Sequence, residues 1–366
     1  MKTAKIEQLN EGDVLAKPII DSYGRVLLQK GVVFTERIIR RLADFQFKFV
    51  YIHDDMTDDI IPYELLDDQM RIETIQQIRN SFNVLNESQP NDYYVIEKTL
   101  KDVQKKVNEI NDLIQDHDEM LSIMSDLFLY DDYLYMHSLN VTVYTLALAN
   151  ELDFSNSKIE QIGIGALLHD LGKTKIPKSI LNKPNQLTDL EFDVIKEHTI
   201  YGYDLIKSAT SLPEEVKYCV VQHHERLNGS GYPYGLKGQN IHPYAQILAV
   251  TDVFDAVTSN RVYRPGILPH EGLEVLYSGS GELFQPEYVD LFRKNISIYP
   301  NGTYVELSTG EKGIVAKQNK HLPDRPTIRI VESREGSLHK SAVYEIDLAT
   351  RMDVLITNSN IRTVPV

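Results

Sequence analysis

The chain has 366 residues, of which 42% are hydrophobic and 25% are charged, the composition of a globular protein with a sizeable core and room for more than one domain. Its formal net charge of -15 argues against a general surface for nucleic-acid polymers or anionic membranes, because both require a basic surface. Cys219 is the single cysteine, which excludes intramolecular disulfides.

The sequence contains no signal for export or membrane insertion. Its first residues, MKTAKIEQLNEGD, lack the apolar stretch of a signal peptide, and no apolar run approaches the ~20 residues of a membrane-spanning helix. We therefore expect a cytoplasmic protein that does not bind membranes. An anionic ligand would need positive charge that is supplied locally in its site.

Four segments are predicted along the chain. Residues 1–60 alternate strand-like runs with a helix that Thr35 opens, and they predict a small α+β module. Residues 61–129 have the pattern of a helical linker or coiled-coil-like segment. Residues 130–295 alternate helices and loops, and residues 296–366 return to the period-two alternation of a small β-rich domain. The predicted fold class is mainly α, with a small module at each end.

An apolar seam with heptad spacing runs through the second segment. The seam must be covered by other apolar surface. One alternative is that it packs on the next helices of the same chain. The other is a homodimer contact through residues 100–128. The seam consists of Leu100, Val103, Val107, Ile110, Ile114, His117, Leu121, Met124 and Phe128.

Within the third segment, five of the histidines and two of the aspartates recur at a regular interval. Successive positions lie about one helix and its return connection apart, so a helical bundle can bring them together. Asp252 lies in an apolar helical stretch, where an ionised carboxylate needs a metal or a strong donor. The seven residues are His137, His169, Asp170, His198, His223, His224 and Asp252.

Each of these residues has an ordinary structural explanation when it is considered alone, such as a helix cap or a favourable interaction with a helix dipole. Their joint occurrence favours a metal site, and imidazole with carboxylate and no thiolate suits Fe, Mn or Zn. Seven ligands exceed what one tetrahedral ion uses. Two divalent metal ions bridged by a carboxylate and a hydroxide use them all, an arrangement that suits in-line displacement at phosphorus. Asp170, next to His169, is the natural bridging group.

Four short motifs resemble those of the HD-GYP family, the cyclic-dinucleotide phosphodiesterase branch of the HD metal-dependent phosphohydrolases. They are HDLGK at 169–173, HHE at 223–225 with GYP at 231–233, DVFDAVTSNRVYR at 252–264 and HSLNV at 137–141. The resemblance is collinear and covers about residues 130–295.

The resemblance implies an HD-type helical bundle core with a dinuclear iron or manganese centre that the seven residues above bind. It further implies that this centre hydrolyses cyclic di-GMP to linear pGpG, to GMP or to both. It also implies that Lys173 contacts the scissile phosphate, that the loop of Gly231, Tyr232 and Pro233 lies beside the substrate, and that Arg261 and Arg264 bind its phosphates. We hypothesise that a hydroxide bridging the metals attacks phosphorus, while Lys173 and the metals neutralise the equatorial oxygens. Asp170 and Lys173 are the predicted catalytic residues.

Two positions depart from the family pattern. Some members have a glutamate one turn before the first histidine that supports a third metal, and Tyr133 occupies that position here. A third metal is therefore not expected unless Asp131 or Asp132 substitutes. Val262 stands where the family usually has proline.

Alternatives stay open for single residues and for the function. Lys173 can interact favourably with the dipole of the preceding helix, and Tyr232 can pack over its own loop. Arg261 and Arg264 can form salt bridges with the acidic surface. The enzyme can act on another nucleotide or cyclic dinucleotide. A third possibility is a catalytically silent sensor that binds cyclic di-GMP and signals to protein partners through the terminal modules.

Overall fold

The computed structural model describes residues 1–20, 25–45, 47, 49–61, 65–89, 92–116, 133–183, 185–259, 266–320 and 322–359. These residues divide into two units. One unit contains the described residues of 1–61 and 294–359, and the other contains those of 65–116 and 133–293. The four predicted segment boundaries stay predictions. Among the described helices, none has the length and apolarity needed to cross a bilayer.

The N-terminal elements of the first unit are β1 (Lys2–Lys5), β2 (Ile19–Ile20), β3 (Val26–Leu28), α1 (Glu36–Asp44) and β4 (Phe49–Ile52). Strands β1 and β4 pair antiparallel, as do β2 and β3. Helix α1 begins where the sequence predicts it, because the side chain of Thr35 caps the helix by accepting a hydrogen bond from the Ile38 backbone N–H at 3.4 Å.

Helices form the second unit. Helices α4 and α10 lie at its centre, and nearly every residue along them is buried, as expected for helices that are apolar on all faces. The helices are α2 (Asp68–Glu87), α3 (Tyr93–Asp116), α4 (Tyr133–Asn150), α5 (Asn156–Leu168), α6 (Lys178–Leu181), α7 (Asp189–Lys196), α8 (His198–Ile206), α9 (Glu214–Gln222), α10 (Pro243–Thr258), α11 (Pro269–Ser278) and α12 (Pro286–Asn295), which continues into the first unit.

A β-sheet near the C-terminus completes the first unit. Its strands are β5 (Tyr304–Leu307), β6 (Lys312–Lys317), β7 (Thr327–Ser333), β8 (Gly336–Ser337), β9 (Tyr344–Asp347) and β10 (Ile356–Asn358). All pairs are antiparallel: β10 pairs with β5, β5 with β6 and β6 with β7, and β7 also pairs with β8 and β9. The structure confirms the predicted class, which is mainly α with a small α+β module and a small β appendage.

The two ends of the chain share contacts within the first unit. The Thr3 backbone N–H donates to the Gly302 carbonyl at 3.2 Å. The Arg329 guanidinium on β7 pairs with the carboxylates of Asp59 and Glu345. A small apolar core also joins them, and it consists of Met56, Ile60, Tyr304, Ile314, Ala316 and Val331.

The apolar seam of α3 packs inside the second unit along its described part. Leu100, Val103, Val107 and Ile110 are all buried, and α3 contacts α2, α4 and α5. This packing agrees with the alternative in which the seam packs on helices of the same chain. The seam residues from His117 to Phe128 lie outside the described residues, and the homodimer stays a prediction.

Gly172 sets the distance between two ligand-bearing segments. It lies in the short 3-10 helix Leu171–Lys175, directly after His169 and Asp170. A Cβ at this position would lie 1.9 Å from the carbonyl oxygen of His198 and 2.4 Å from the backbone nitrogen of Gly202. Only glycine therefore lets the HDLGK turn lie against α8.

We expect Gly172→Ala to lower the free energy of unfolding by at least about 2 kcal/mol, because the added methyl group meets backbone that has no room to move. Urea denaturation followed by circular dichroism measures the loss. Gly238→Ala is the control: its φ of +52° costs conformational strain, but a Cβ there has no neighbour within 4 Å, so a loss of about 1 kcal/mol is expected. Equal losses would contradict the steric argument.

Candidate metal centre

The second unit brings together all seven side chains that the sequence predicts as ligands. They come from α4, from the C-terminal ends of α5 and α9, from the start of α8 and from α10. Their nitrogen and oxygen atoms form two groups, and the atoms within each group lie within 4.8 Å of one another. One group is His137, His169 and Asp252, and the other is Asp170, His198, His223 and His224.

The carboxylate of Asp170 faces both groups. Its Oδ2 lies 3.4 Å from the Nε2 atoms of both His137 and His169. Its Oδ1 lies 3.3 Å from Nε2 of His198 and 4.0 Å from Nε2 of His223. Asp170 therefore lies where a carboxylate shared between two cations would lie.

Backbone carbonyls orient three of the imidazoles. Nδ1 of His169 donates to the Ala166 carbonyl at 2.7 Å, and Nδ1 of His198 donates to the Ile195 carbonyl at 2.7 Å. His223 uses the Val220 carbonyl in the same way at 2.9 Å. Carbonyls in the last turn of a helix lack intrahelical partners, so they are free to accept these bonds. Because a carbonyl only accepts, each Nδ1 carries the proton and each Nε2 directs a lone pair into the cluster.

This arrangement fits a cation. Nε2 of His198 and Nε2 of His223 lie only 3.2 Å apart, and burial lowers the pKa of His198 to about 4 and that of His223 well below its usual value. Two lone pairs therefore face each other at neutral pH. Asp170 Oδ1 is buried and accepts no hydrogen bond from any described residue. Such a set of donors is costly to bury unless a positive ion lies among them, so the cluster can hold metal.

Asp255 orients the fourth histidine with a side chain instead of a carbonyl. Its Oδ2 lies 2.7 Å from Nδ1 of His137, while its Oδ1 accepts from Nδ2 of Asn140 at 2.9 Å and from Oγ of Ser259 at 3.0 Å. No role for Asp255 or Asn140 is predicted from the sequence. The available signal was the spacing in DVFD, which places Asp255 one turn after Asp252 on the same helix.

We expect Asp255→Asn to weaken the affinity of the cluster for its first metal ion by roughly 10- to 100-fold, because an amide supports the imidazole less well than a carboxylate does. Metal titration of the chelator-treated protein measures the change. Ser259→Ala is the control with a smaller expected loss of affinity, since it removes one donor to Asp255 and leaves the contact between Asp255 and His137. If Asp255→Asn bound metal like the wild type, the orienting role would be wrong.

Metal binding is also expected to release a proton from His137. Burial by itself lowers the pKa of His137, but its hydrogen bonds to Asp252 and Asp255 outweigh burial and raise the pKa to about 9. Below that pH the metal-free His137 is protonated, and it must lose this proton before Nε2 can bind a cation. The affinity for metal should therefore rise by up to about tenfold per pH unit as the pH approaches 9.

Calorimetric titration at neutral pH, in two buffers with different ionisation enthalpies, counts the protons released. About one proton is expected for the wild type, and fewer for Asp255→Asn, because that variant loses a contact that raises the pKa of His137. A wild-type titration that released none would contradict the assignment.

Lys173 lies at the edge of the cluster. Its Nζ is 2.6 Å from Oδ2 of Asp170. Burial alone would raise the pKa of Asp170, but the charge of Lys173 and contacts with neighbouring histidines hold that pKa well below its usual value. Asp170 is therefore ionised at neutral pH, and the lysine adds positive charge at the position where the sequence predicts it.

The GYP loop lies directly on the histidine pair. The Tyr232 backbone N–H donates to the His224 carbonyl at 3.2 Å, and the two rings have their centroids 4.6 Å apart. A Cβ on Gly231 would lie 2.4 Å from the same carbonyl and 2.5 Å from the Arg226 nitrogen, so the loop needs glycine to approach this closely. Pro233 follows and is half-buried.

Glu225 holds this loop, a role that is not predicted from the sequence. Its side chain is buried, and its two carboxylate oxygens accept from the backbone N–H groups of Tyr234 at 2.7 Å and Leu236 at 2.9 Å. Its position directly after the paired histidines in HHE was the available signal.

The structure describes only one of the remaining predicted residues and departures from the family pattern, Tyr133. Arg261 and Arg264 lie outside the described residues, as does Val262. The ring of Tyr133, where some relatives have glutamate, stacks on the His137 ring with centroids 5.4 Å apart and an angle of 13° between the planes. An aromatic ring at this position offers no carboxylate for a third metal ion.

Comparison with known families matches both the helical and the β-rich parts of the chain. Residues 108–288 match the model of the HD domain, and residues 304–361 match that of a KOW domain associated with HD domains. The match shows an HD domain within residues 108–288. The HD match includes all seven clustered residues and begins within α3.

Curated relatives are similar to part of the chain. A protein of Pseudomonas aeruginosa named a cyclic di-GMP phosphodiesterase is 35% identical over 232 residues, which cover 63% of this chain and 56% of that protein. A cyclic di-GMP phosphodiesterase of Thermotoga maritima is 32% identical over 246 residues, or 65% of each protein. A 3'3'-cGAMP-specific phosphodiesterase of Vibrio cholerae is 35% identical over 156 residues, 42% of this chain and 30% of that one. The chain thus spans just over half of the first relative.

Proposed function

We propose that this HD-domain protein is a metal-dependent phosphodiesterase that hydrolyses cyclic di-GMP to linear pGpG, to GMP or to both. The observation that carries the proposal is the pair of donor groups that share Asp170, since two adjacent cations suit displacement at a phosphodiester. The names of the Pseudomonas and Thermotoga relatives support the same reaction and substrate.

In this proposal the two groups hold one divalent ion each. His137, His169 and Asp252 would hold the first ion and His198, His223 and His224 would hold the second, with Asp170 facing both groups. Iron or manganese suits this set of imidazole and carboxylate donors. When bound, the ions would supply Lewis acidity and would make water a nucleophile at neutral pH.

The chain's own groups orient the substrate and balance its charge. Lys173, beside Asp170, places an ammonium where a phosphoryl oxygen would approach the cluster. The loop of Gly231, Tyr232 and Pro233, which Glu225 holds in place, forms one wall beside His224. Arg261 and Arg264 are proposed to bind the substrate phosphates, because guanidinium matches phosphate in a bidentate manner.

Another cyclic dinucleotide is the second candidate substrate, because the Vibrio relative is named for 3'3'-cGAMP. The two substrates differ in one base and share the phosphodiester linkages, so the metal cluster alone does not distinguish them. A silent sensor of cyclic di-GMP is less favoured, since a protein that only binds the nucleotide would not need to retain all seven donors.

We expect protein that is purified without oxygen and loaded with iron or manganese to hydrolyse cyclic di-GMP, and a chelator to abolish turnover. Asp170→Asn should lower kcat by at least about 100-fold, because it removes the charge shared between both groups. Chromatography of the products, together with elemental analysis of bound metal, measures both effects. Asp153→Asn, at an exposed position, is the matched control and should keep wild-type activity.

A panel of cyclic dinucleotides and mononucleotides separates the alternatives. Turnover of 3'3'-cGAMP without turnover of cyclic di-GMP would move the assignment to the second substrate. Tight binding of cyclic di-GMP by metal-loaded wild type without any hydrolysis would support the sensor instead.

A further inference from the structure

An exposed aromatic side chain lies beside the metal centre. Phe192 on α7 is 46% exposed, and its ring lies edge-on to that of Tyr232, with centroids 6.3 Å apart and an angle of 85° between the planes. The Tyr232 ring in turn lies 4.6 Å from the ring of His224. A row of three aromatic rings therefore leads outward from the cluster to the surface.

Helix α7 is held by polar contacts and not by a buried face. None of its residues is buried by the part of the chain that the structure describes. Thr188 and Glu191 form a capping box at its start, and Lys183 pairs with Glu191 at 2.6 Å. Core packing therefore does not explain why this helix carries a phenylalanine next to the site.

Positive charge accompanies the exposed ring. Nζ of Lys196 lies over Phe192, 5.3 Å from the ring centroid, and pairs with Asp193 at 2.6 Å. In a chain with a formal net charge of -15, an ammonium beside an exposed aromatic face suits a ligand that combines a planar base with phosphate.

We infer that Phe192, with Tyr232 edge-on beside it, forms a stacking surface for a purine base of the substrate. The inference rests on the proposed function, in which a phosphodiester is held at the cluster. A nucleotide joins its phosphate to its base through one ribose, so the base of a bound substrate falls just beyond the metal ligands. Stacking on an aromatic side chain tolerates any base, because every base has a π face. Phe192 thus contributes affinity for purine dinucleotides and does not select one base.

A tryptophan reporter tests the inference directly. The chain contains no tryptophan, so Phe192→Trp introduces a single tryptophan, whose fluorescence can be excited selectively over that of tyrosine, and keeps an aromatic ring in place. The probe is a slowly hydrolysed phosphorothioate analogue of cyclic di-GMP, added to the metal-loaded full chain. Stacking of guanine on the ring should quench the fluorescence, whereas inorganic phosphate, which has no base, should not.

Leu190→Trp is the matched control. Leu190 lies two residues earlier on α7 and is 78% exposed, and two residues turn a helix by more than half a circle, so this tryptophan points away from Phe192. We expect strong quenching at position 192 and little at position 190. Equal quenching at both positions, or none at position 192 while calorimetry detects binding, would overturn the inference. Failure of the analogue to bind at all would overturn it as well.

Steady-state kinetics give an independent readout. Phe192→Ala should raise KM for cyclic di-GMP about tenfold and change kcat less than KM, and Phe192→Tyr should restore most of the affinity. Leu190→Ala should behave like the wild type. A wild-type KM for Phe192→Ala would count against stacking even if the enzyme hydrolyses cyclic di-GMP. If tryptophan fluorescence at position 192 were quenched in a protein that does not hydrolyse cyclic di-GMP, the stacking surface would be supported and the proposed function would be wrong.

Discussion

The structure of the second unit depends on the lone pairs that converge inside it. Three histidines donate Nδ1–H to carbonyls three residues earlier, which directs their Nε2 atoms into the cluster, and Nε2 of His198 and His223 lie 3.2 Å apart. Buried acceptors this close repel one another unless a cation lies among them. Since the carbonyls that orient the rings belong to the C-terminal ends of α5, α7 and α9, those helices must end at the cluster, and this requirement shapes their packing.

The two donor groups are supported in different ways, and the difference has a chemical consequence. His137 depends on a carboxylate in place of a carbonyl, that of Asp255, which Asn140 and Ser259 hold by hydrogen bonds. A carboxylate partner makes an imidazole a stronger donor than a carbonyl partner does. The two proposed ions would therefore differ in affinity even though Asp170 contacts both groups. Since Ser259 follows α10 directly, the support for His137 also depends on where that helix ends.

Rigid and exposed elements meet beside the cluster. Glu225 fixes the GYP loop by two hydrogen bonds to its backbone, and Gly231 lets the loop lie within van der Waals contact of the histidine pair. Helix α7, by contrast, buries none of its residues against the described part of the chain and exposes Phe192. The donors of the cluster therefore lie in the largely buried interior of the second unit, whereas Phe192, the inferred stacking residue, lies on an exposed helix.

The sequence by itself determined the features that depend on local pattern. Thr35 predicted the start of α1, because capping depends on residues that are neighbours in the chain. The motifs around His169 and His223 predicted the donors, because their residue types and spacing are specific. Only the tertiary structure decided which donors form a group, that Asp255 supports His137, and that Phe192 lies beside Tyr232. These contacts join residues far apart in the chain, and their distances are set by how helices pack. No pattern within one helix records that packing.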